Sequence, residues 1–372
     1  MTSTAATDPP SPDDTQPLHI AMVAPPWFEV PPDGYGGIEY LVAGLVDQLV
    51  ARGHHVTLIA SGSNQTRAQD FVQVYEEPPS GRLGTAPVVE VIHAAITAQV
   101  VAERAPDVVH DHSLVGPLLA RGRRGPSTVV TMHAPAVGES GDYIRHLGDT
   151  VDVVAISEAQ RETNPDIHWV GRVYNGIDVD SFPFRADKDD HVLWMGRFNE
   201  DKGAHLAIDA ARAAGRRIVL AGKCEEPHEQ EFFDAEIQPR MGDDVEYVGA
   251  ADADEKRDLM GGARCLVFPL QWEEPFGLVM TEAMACGTPV VALRRGSVPE
   301  IVRDGVTGYV LDDLDGFPRA IVAADDLDPA ECRRHTATHF DLPVMAEGYE
   351  GVYRELVEGR RALRSITAAG AP

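Results

Sequence analysis

The feature that most constrains the fold is a strand–loop–helix–strand unit between residues 265 and 292. Residues 265–268 (Cys-Leu-Val-Phe) and 289–292 (Pro-Val-Val-Ala) are short apolar runs typical of buried strands. Between them lies a loop with Pro275 and Gly277, followed by a helix that ends near Gly287, since glycine is favoured just past a helix end. In an α/β sheet such a loop lies at the carboxyl ends of parallel strands, where open sheets bind ligands.

The same alternation of strands and helices extends over most of the chain. Amphipathic patterns at 38–52 and 204–214 predict helices, and a periodic apolar pattern at 344–363 predicts a C-terminal helix that crosses back to the first domain. Alternation predicts parallel sheets covered on both faces. Two halves of similar size predict an α/β protein of two Rossmann-like domains facing across a cleft. The remaining strand patterns lie at 19–24, 56–60, 107–112, 128–133, 151–157, 173–178, 191–198, 218–222, 245–249 and 308–310.

The chain is predicted to divide at three points. Residues 1–17 are rich in Thr, Ser, Asp and Pro without a basic or apolar run, which predicts a disordered tail and not a signal peptide. An N-terminal domain then covers 18–182 and a C-terminal domain covers 183–343, because a charged stretch with Pro183 is typical of a linker. Residues 344–372 form the crossover helix and its tail.

Composition limits the partners and the compartment. The 372 residues carry a formal net charge of −27, and such an acidic surface repels nucleic acid and anionic membranes. No apolar run reaches the about 18–20 residues that a membrane span requires. The four cysteines show no C-x-x-C spacing, which indicates free thiols in a reducing compartment and a cytoplasmic protein.

A glycine-rich loop follows the first strand and opens the first helix. This arrangement raises the possibility of a dinucleotide site, but it lacks G-x-G-x-x-G, and Ser61-Gly62-Ser63 stands where an acidic ribose ligand is expected. The alternative is that Gly36 and Gly37 let the backbone approach a phosphate or a sugar closely. These two glycines are therefore candidate donor-binding residues.

The loop and helix of the 265–292 unit carry groups suited to a sugar nucleotide. The free N–H groups at the start of a helix form an anion site. Glu274 and Glu282 bracket that site, and carboxylates are poor phosphate ligands but good acceptors for hydroxyl hydrogens. A ligand with phosphate between two sets of hydroxyls is a sugar nucleotide. The alternative interpretation is that both glutamates are solvated and bind no ligand.

One stretch of this unit resembles the donor-site signature of the retaining glycosyltransferases of family 4, which have the GT-B fold. It covers residues 274–292, EPFGLVMTEAMACGTPVVA, and contains the pattern Glu-x7-Glu. The resemblance extends from about residue 19 to residue 363. It implies that Glu282 accepts hydrogens from the ribose hydroxyls and Glu274 from those of the transferred sugar. It also implies backbone N–H donors at Phe276, Gly277 and Leu278.

A second motif supplies cations for the phosphates. Arg197 ends a strand pattern and Lys202 stands near the start of the next helix, so a guanidinium fork and an ammonium flank one loop. The pattern G-R-x-x-x-x-K-G, which starts at Gly196, resembles the donor-phosphate clamp of the same family. Surface ion pairing is the alternative for either residue alone.

The remaining candidates come from the resemblance. It implies that His112, after the strand at 107–112, lies against the reacting sugar carbon and that His133 lies on the acceptor side. It also places the nucleotide base beside Val248. His110 and His112 have the spacing of half a metal site, but no third ligand of matching spacing appears.

Two features concern the acceptor. Fewer residues separate His133 from Val151 than many family members carry, in a region that helps to build the acceptor pocket. The Tyr-Gly-Gly-Ile and His-Asp-His-Ser sequences are similar to those of small actinobacterial members of the family.

The resemblance thus predicts a retaining, metal-independent glycosyltransferase that moves a hexose from a nucleoside diphosphate sugar, UDP-glucose above all, to a small acceptor. No cofactor and no metal ligand is expected, and the oligomeric state stays open. The catalytic residues would be His112, Arg197, Lys202 and Glu274. The alternatives are a GT-B-fold sugar-nucleotide epimerase and a non-catalytic sugar-nucleotide-binding protein.

Overall fold

The first of two parallel sheets lies in the N-terminal part of the chain. The computed structural model describes residues 16–34, 36–120 and 125–369, with the backbone alone beyond residue 360. The sheet has seven strands in the order β3-β2-β1-β4-β5-β6-β7, and each register that is resolved is parallel. The strands are β1 His19–Val23, β2 His55–Ala60, β3 Asp70–Gln73, β4 Val108–Asp111, β5 Ser127–Thr131, β6 Asp152–Ala155 and β7 Trp169–Arg172.

The helices between these strands bury their apolar faces. The first of them buries six apolar residues between positions 41 and 49, among them the stripe at helical spacing that the sequence pattern predicts. The second begins with proline at its first turn, where the missing N–H is not needed. These helices are α1 Gly37–Ala51, α2 Pro87–Arg104, α3 Gly138–Leu147 and α4 Glu158–Thr163.

The second parallel sheet has six strands in the order β10-β9-β8-β11-β12-β13. Its central strands are fully buried apolar runs, as expected for a parallel sheet that is covered on both faces. The strands are β8 Val192–Met195, β9 Ile218–Ala221, β10 Val245–Tyr247, β11 Leu266–Phe268, β12 Val290–Leu293 and β13 Gly308–Leu311. The helices are α5 Ala204–Ala213, α6 Pro227–Phe232, α7 Ala253–Gly262, α8 Leu278–Ala285, α9 Val298–Ile301, α10 Phe317–Ala323 and α11 Pro329–His339.

The last helix, α12 Leu342–Ala369, packs on the first sheet through two buried tyrosines. The Tyr353 hydroxyl lies 2.6 Å from His110 Nδ1, and the Tyr349 hydroxyl lies 2.7 Å from Thr131 Oγ1. Burial raises the pKa of the Tyr349 phenol far above its ordinary value, so both groups serve as neutral hydrogen-bonding partners. The predicted crossover helix is therefore confirmed.

Compact packing divides the chain into two units. Among the described residues, the first contains those between 16 and 131, 149–152 and 346–369, and the second contains 132–148 and 153–345. The domain boundaries that the sequence indicates near residues 182 and 343 stay predictions, and most of the predicted disordered tail falls outside the described residues. Within the described part of the chain, no helix combines the length and the hydropathy that crossing a bilayer requires.

One predicted strand is wrong, and two strands and four helices were not foreseen. Residues 173–178 form no strand, and the edge strand β7 lies just before them. Strand β7 is only half-buried along its length, so it lacks the continuous apolar run by which the inner strands are recognised. The same reason applies to the other edge strand, β3. Helices α2, α3, α4 and α9 were not predicted either.

Close packing of two backbones near the ends of β8 and β9 yields the first prediction. A Cβ added at Gly222 would lie 1.8 Å from the carbonyl oxygen of Gly196. We expect Gly222→Ala to lower the free energy of unfolding by roughly 1–3 kcal/mol, measured by urea denaturation. Gly351→Ala is the control, because its Cβ meets nothing within 4 Å on α12. That change should raise stability by roughly 0.5–1 kcal/mol, and losses of equal size in both variants would contradict the packing argument.

Candidate active site

The carboxyl edge of the second sheet collects most of the predicted donor residues. Its strands are parallel, so the loops that follow them leave at one edge. Gly196 and Arg197 follow β8, Val248 follows β10, and the loop with Glu274 follows β11. The structure therefore brings these residues to one edge of one sheet, as the sequence predicts.

Arg197 is an exposed cation at the end of β8. Its neighbour Phe198 is fully buried, with ring centroids 4.9 Å from Trp194 and 5.2 Å from Tyr247, and this packing fixes the backbone that carries the arginine. Among the residues that the structure describes, none forms an ion pair or a hydrogen bond with the Arg197 side chain. The guanidinium is thus available to an anionic ligand.

Lys202 and Glu274 form the central ion pair of the site. The Lys202 ammonium lies 2.7 Å from Glu274 Oε2, and the two side chains are only 18% and 11% exposed. The ammonium also lies 4.5 Å from the centre of the Trp272 ring. The pair joins the turn after β8 to the loop after β11. Both charged residues were predicted from the sequence, but their pairing and the contact with Trp272 were not.

Backbone contacts hold the Glu274 loop against the segment after β12. The Ser297 N–H donates to the Glu274 carbonyl at 2.9 Å, and the Ser297 hydroxyl donates to the Phe276 carbonyl at 2.7 Å. Phe276 itself is buried in the core, so its contribution to a ligand is limited to the backbone. The loop is therefore held at several points before any ligand binds.

Helix α8 presents its amino end beside this loop. Gly277, the residue before the helix, has φ +79°, a left-handed conformation that favours glycine, and no side chain caps the helix. Leu278 and the next residue are the first of the helix, where backbone N–H groups have no intrahelical acceptor. The first N–H groups of α8 are therefore free of an intrahelical acceptor, and anion binding by Gly277 and Leu278 stays a prediction.

Glu282 lies on α8 and pairs with a lysine that the sequence analysis missed. Lys256 Nζ lies 2.6 Å from Glu282 Oε1, and the glutamate side chain is 14% exposed. Lys256 belongs to α7, and the two helices contact each other. No spacing in the sequence relates the two residues, because the contact exists only once α7 and α8 pack side by side.

The predicted base-binding segment is positioned by a main-chain hydrogen bond. The Val248 N–H donates to the Leu220 carbonyl at 3.1 Å, and the Val248 side chain remains 41% exposed. An exposed apolar side chain at the sheet edge is a suitable surface for a flat base. Its role stays a prediction.

In the first unit, Gly36 and Gly37 begin α1, as predicted. Gly36 is the residue before the helix, and no side chain caps it. Glu39 was not predicted as a site residue; it lies in the first turn of α1 and is only 4% exposed. Burial raises the pKa of its carboxyl to about 7. A carboxyl with this pKa is partly neutral at pH 7 and repels an anion at the amino end of α1 less than an ionised carboxyl would.

The two predicted histidines lie at strand ends, where His112 is buried and His133 is partly exposed. His112 follows β4, and its N–H donates to the Val23 carbonyl at 2.9 Å. Its ring centroid lies 4.1 Å from that of His110, which Tyr353 holds in place. His133 follows β5 in the segment that belongs to the second unit, and burial lowers the pKa of its imidazole to about 4, so it is neutral at pH 7.

Comparisons with known proteins agree with this arrangement. A family model described as "Glycosyltransferase Family 4" matches residues 35–181, and one described as "Glycosyl transferases group 1" matches residues 178–321. The chain is 27% identical over 338 residues to a phosphatidyl-myo-inositol mannosyltransferase of Mycolicibacterium smegmatis, covering 82% of this chain and 84% of the relative.

Solved structures give the same result. The glycosyltransferase AviGT4 of avilamycin A biosynthesis has a TM-score of 0.70 and 28% identity, over 92% of this chain and 99% of its own. The Anabaena protein Alr3699/HepE, solved with UDP-glucose, has a TM-score of 0.67 and 17% identity, over 89% of this chain and 97% of its own. The protein is therefore a glycosyltransferase with the GT-B fold. These matches do not favour the epimerase alternative.

The buried ion pair yields the second prediction. We expect a double-mutant cycle of Lys202→Met and Glu274→Gln to give a coupling energy of roughly 1–3 kcal/mol in urea denaturation, because neither charge is well solvated alone. The control is Arg294 with Asp312, whose side chains are 51% and 81% exposed. That pair should couple by less than about 1 kcal/mol. Equal coupling in both pairs would be inconsistent with the burial argument.

The Glu39 carboxyl yields the third prediction. Its folded pKa is raised from 4.5 to about 7, so the stability it provides is fully present below pH 4.5 and is lost as the pH rises towards 7. Between pH 5.5 and pH 8, Glu39→Gln should gain on the order of 2 kcal/mol in unfolding free energy relative to wild type. Thermal and urea unfolding at both pH values measure this gain. Exposed Glu77→Gln should show no such change, and a pH-independent difference for Glu39→Gln would disprove the prediction.

Proposed function

We propose that the protein is a retaining glycosyltransferase that moves a hexose from a nucleoside diphosphate sugar to a small acceptor, with no metal ion at the donor site. The observation that carries this proposal is the exposed Arg197 guanidinium, without a protein partner among the described residues, on the same sheet edge as the Lys202–Glu274 pair. In a chain of net charge −27, an arginine without such a partner, on the sheet edge that also carries the amino end of α8, is a candidate anion site.

The diphosphate would bind to groups that replace a metal ion. Arg197 can bind two phosphate oxygens with its planar fork, and Lys202 supplies a point charge. The first N–H groups of α8 add donors that need no side chain. These charges act when negative charge develops on the leaving diphosphate, which is where stabilisation accelerates the reaction.

The two glutamates would bind hydroxyl groups at either end of the donor. Each is held by a lysine, Glu274 by Lys202 and Glu282 by Lys256. The lysine neutralises the carboxylate charge and leaves oxygen lone pairs that accept hydroxyl hydrogens. The proposed roles are the transferred sugar for Glu274 and the ribose for Glu282.

The reaction itself needs no protein nucleophile in this proposal. The bond between the anomeric carbon and the diphosphate oxygen breaks, and the acceptor oxygen bonds to the same face of that carbon. The acceptor proton passes to the leaving phosphate oxygen, so charge and atoms balance. The protein contributes positioning and electrostatic stabilisation. His112 is proposed to contact the transferred sugar, and His133 to contact the acceptor.

UDP-glucose is the proposed donor. The support is that HepE was solved with UDP-glucose and that the exposed Val248 offers an apolar surface for the base. The mannosyltransferase relative makes a mannose donor the first alternative to test.

The fourth prediction tests the phosphate clamp by thermal shift with UDP, GDP, ADP and TDP. A ligand that binds only the folded state stabilises it by about 2.7 kcal/mol at a hundredfold excess over Kd. We expect one diphosphate, UDP, to raise the melting temperature of wild type and to lose most of that effect in Arg197→Ala. Arg217→Ala is the control, since Arg217 is exposed next to the amino end of β9 and pairs with Glu246. If none of the four diphosphates raises the melting temperature, the proposal that the donor site lies at this sheet edge is wrong.

The fifth prediction tests the stereochemistry and the metal independence. With UDP-glucose and no acceptor, slow hydrolysis should release glucose first as the α-anomer. NMR spectra recorded before mutarotation identify the anomer. The rate should be unchanged by EDTA, because protein cations perform the task of a metal ion. Release of the β-anomer would contradict retention, and loss of the rate on chelation would contradict metal independence.

A further inference from the structure

Two imidazoles and a carboxylate meet at the amino ends of the first three strands. His19 is the first residue of β1, His55 the first of β2, and Asp70 the first of β3. The parallel register pairs His19 with His55 and Thr57 with Asp70, so the three side chains are brought to one place by strand pairing. This is the edge of the sheet opposite to the carboxyl ends.

The three groups already lie close together. One ligand atom from each of them is within 4.8 Å of the others. His55 Nε2 lies 2.9 Å from Asp70 Oδ2, and the centroids of the two imidazole rings are 4.9 Å apart in an edge-to-face arrangement. This is the arrangement of a three-residue metal site before the ligands contract around an ion.

We propose that His19, His55 and Asp70 bind a divalent transition metal ion, zinc being the ion that this ligand set suits best. Two imidazole nitrogens and one carboxylate oxygen leave a fourth tetrahedral position for water. Hard cations such as Mg²⁺ prefer oxygen ligands and are disfavoured by two imidazoles. The site lies outside the proposed donor site and does not depend on the proposed function.

The adjustment that binding requires is small. Ligand atoms about 2.0–2.1 Å from a tetrahedral zinc ion are about 3.3 Å apart, so the most distant pair must approach by roughly 1.5 Å. The His55 and Asp70 side chains are 46% and 36% exposed, and both can rotate towards His19 without disturbing the core. The backbone positions stay fixed by the strand register.

The surroundings of the cluster also suit a cation. Thr57 Oγ1 lies 2.9 Å from His19 Nε2 and restrains that ring. Asp107 accepts a hydrogen bond from the backbone N–H of His19 at 2.8 Å. Its carboxylate adds a second negative charge near the site. A hydrogen bond such as that between Thr57 and His19 orients a metal-ligating imidazole.

Arg104 is the competitor of the metal ion. Its guanidinium lies 2.7 Å from Asp70 Oδ2, so in this structure the arginine neutralises the carboxylate. The Arg104 side chain is 38% exposed and can withdraw into solvent. A bound dication would replace it. Removal of Arg104 should therefore strengthen metal binding, a result that a merely structural ion-pair network does not predict.

Calorimetric titration tests this proposal. The full-length protein is freed of metal with EDTA, which is then removed, and zinc chloride is added. We expect one ion per chain, an at least tenfold loss of affinity in His55→Ala and in Asp70→Asn, and a severalfold gain in Arg104→Gln. His228→Ala is the control, because His228 is an exposed histidine 3.5 Å from Glu226 and should leave the affinity unchanged. Thermal unfolding of the metal-free variants confirms that each is folded.

Cobalt provides an independent spectroscopic measurement. Tetrahedral Co²⁺ absorbs strongly in the visible region, and we expect this band in wild type and in Arg104→Gln but not in His55→Ala. Zinc affinity that is the same in wild type, His55→Ala and Arg104→Gln would overturn the proposal. Absence of any one-to-one binding by wild type would overturn it as well.

Discussion

The half-buried ion pair between Lys202 and Glu274 is the interaction on which the site depends. It joins the turn after β8 to the loop after β11, two segments that the parallel sheet sends to the same edge. Neither charge is well solvated by itself, so each holds the other in the position a donor would meet. Backbone contacts from Ser297 fix the same loop on its other side. The site is therefore largely formed before a ligand arrives.

Charge is distributed unevenly over this acidic chain. A net charge of −27 repels anions in general, yet the sheet edge that carries the donor residues holds Arg197, Lys202 and Lys256. The lysines pair with the two glutamates, and Arg197 has no protein partner among the described residues. In the first unit, the raised pKa of the buried Glu39 carboxyl reduces the negative charge at the amino end of α1 near pH 7.

The two edges of the first sheet carry different chemistry for one topological reason. Parallel strands place every first residue at one edge and every last residue at the other. His112 and the glycine-rich loop follow strand ends, where ligands of open α/β sheets bind. His19 and His55 begin neighbouring strands and form the proposed metal site. The pairing of these two first residues thus brings together side chains that are 36 positions apart in the chain.

The sequence by itself determined the inner strands, most helices and the donor motifs, because continuous apolar runs and the stretch 274–292 are local signals. It did not determine the half-buried edge strands β3 and β7, whose burial depends on what packs over them. It identified Glu274, Glu282 and Lys202, but only the tertiary structure paired them and supplied Lys256. Contacts between distant segments follow from strand register and helix packing, which no local spacing encodes.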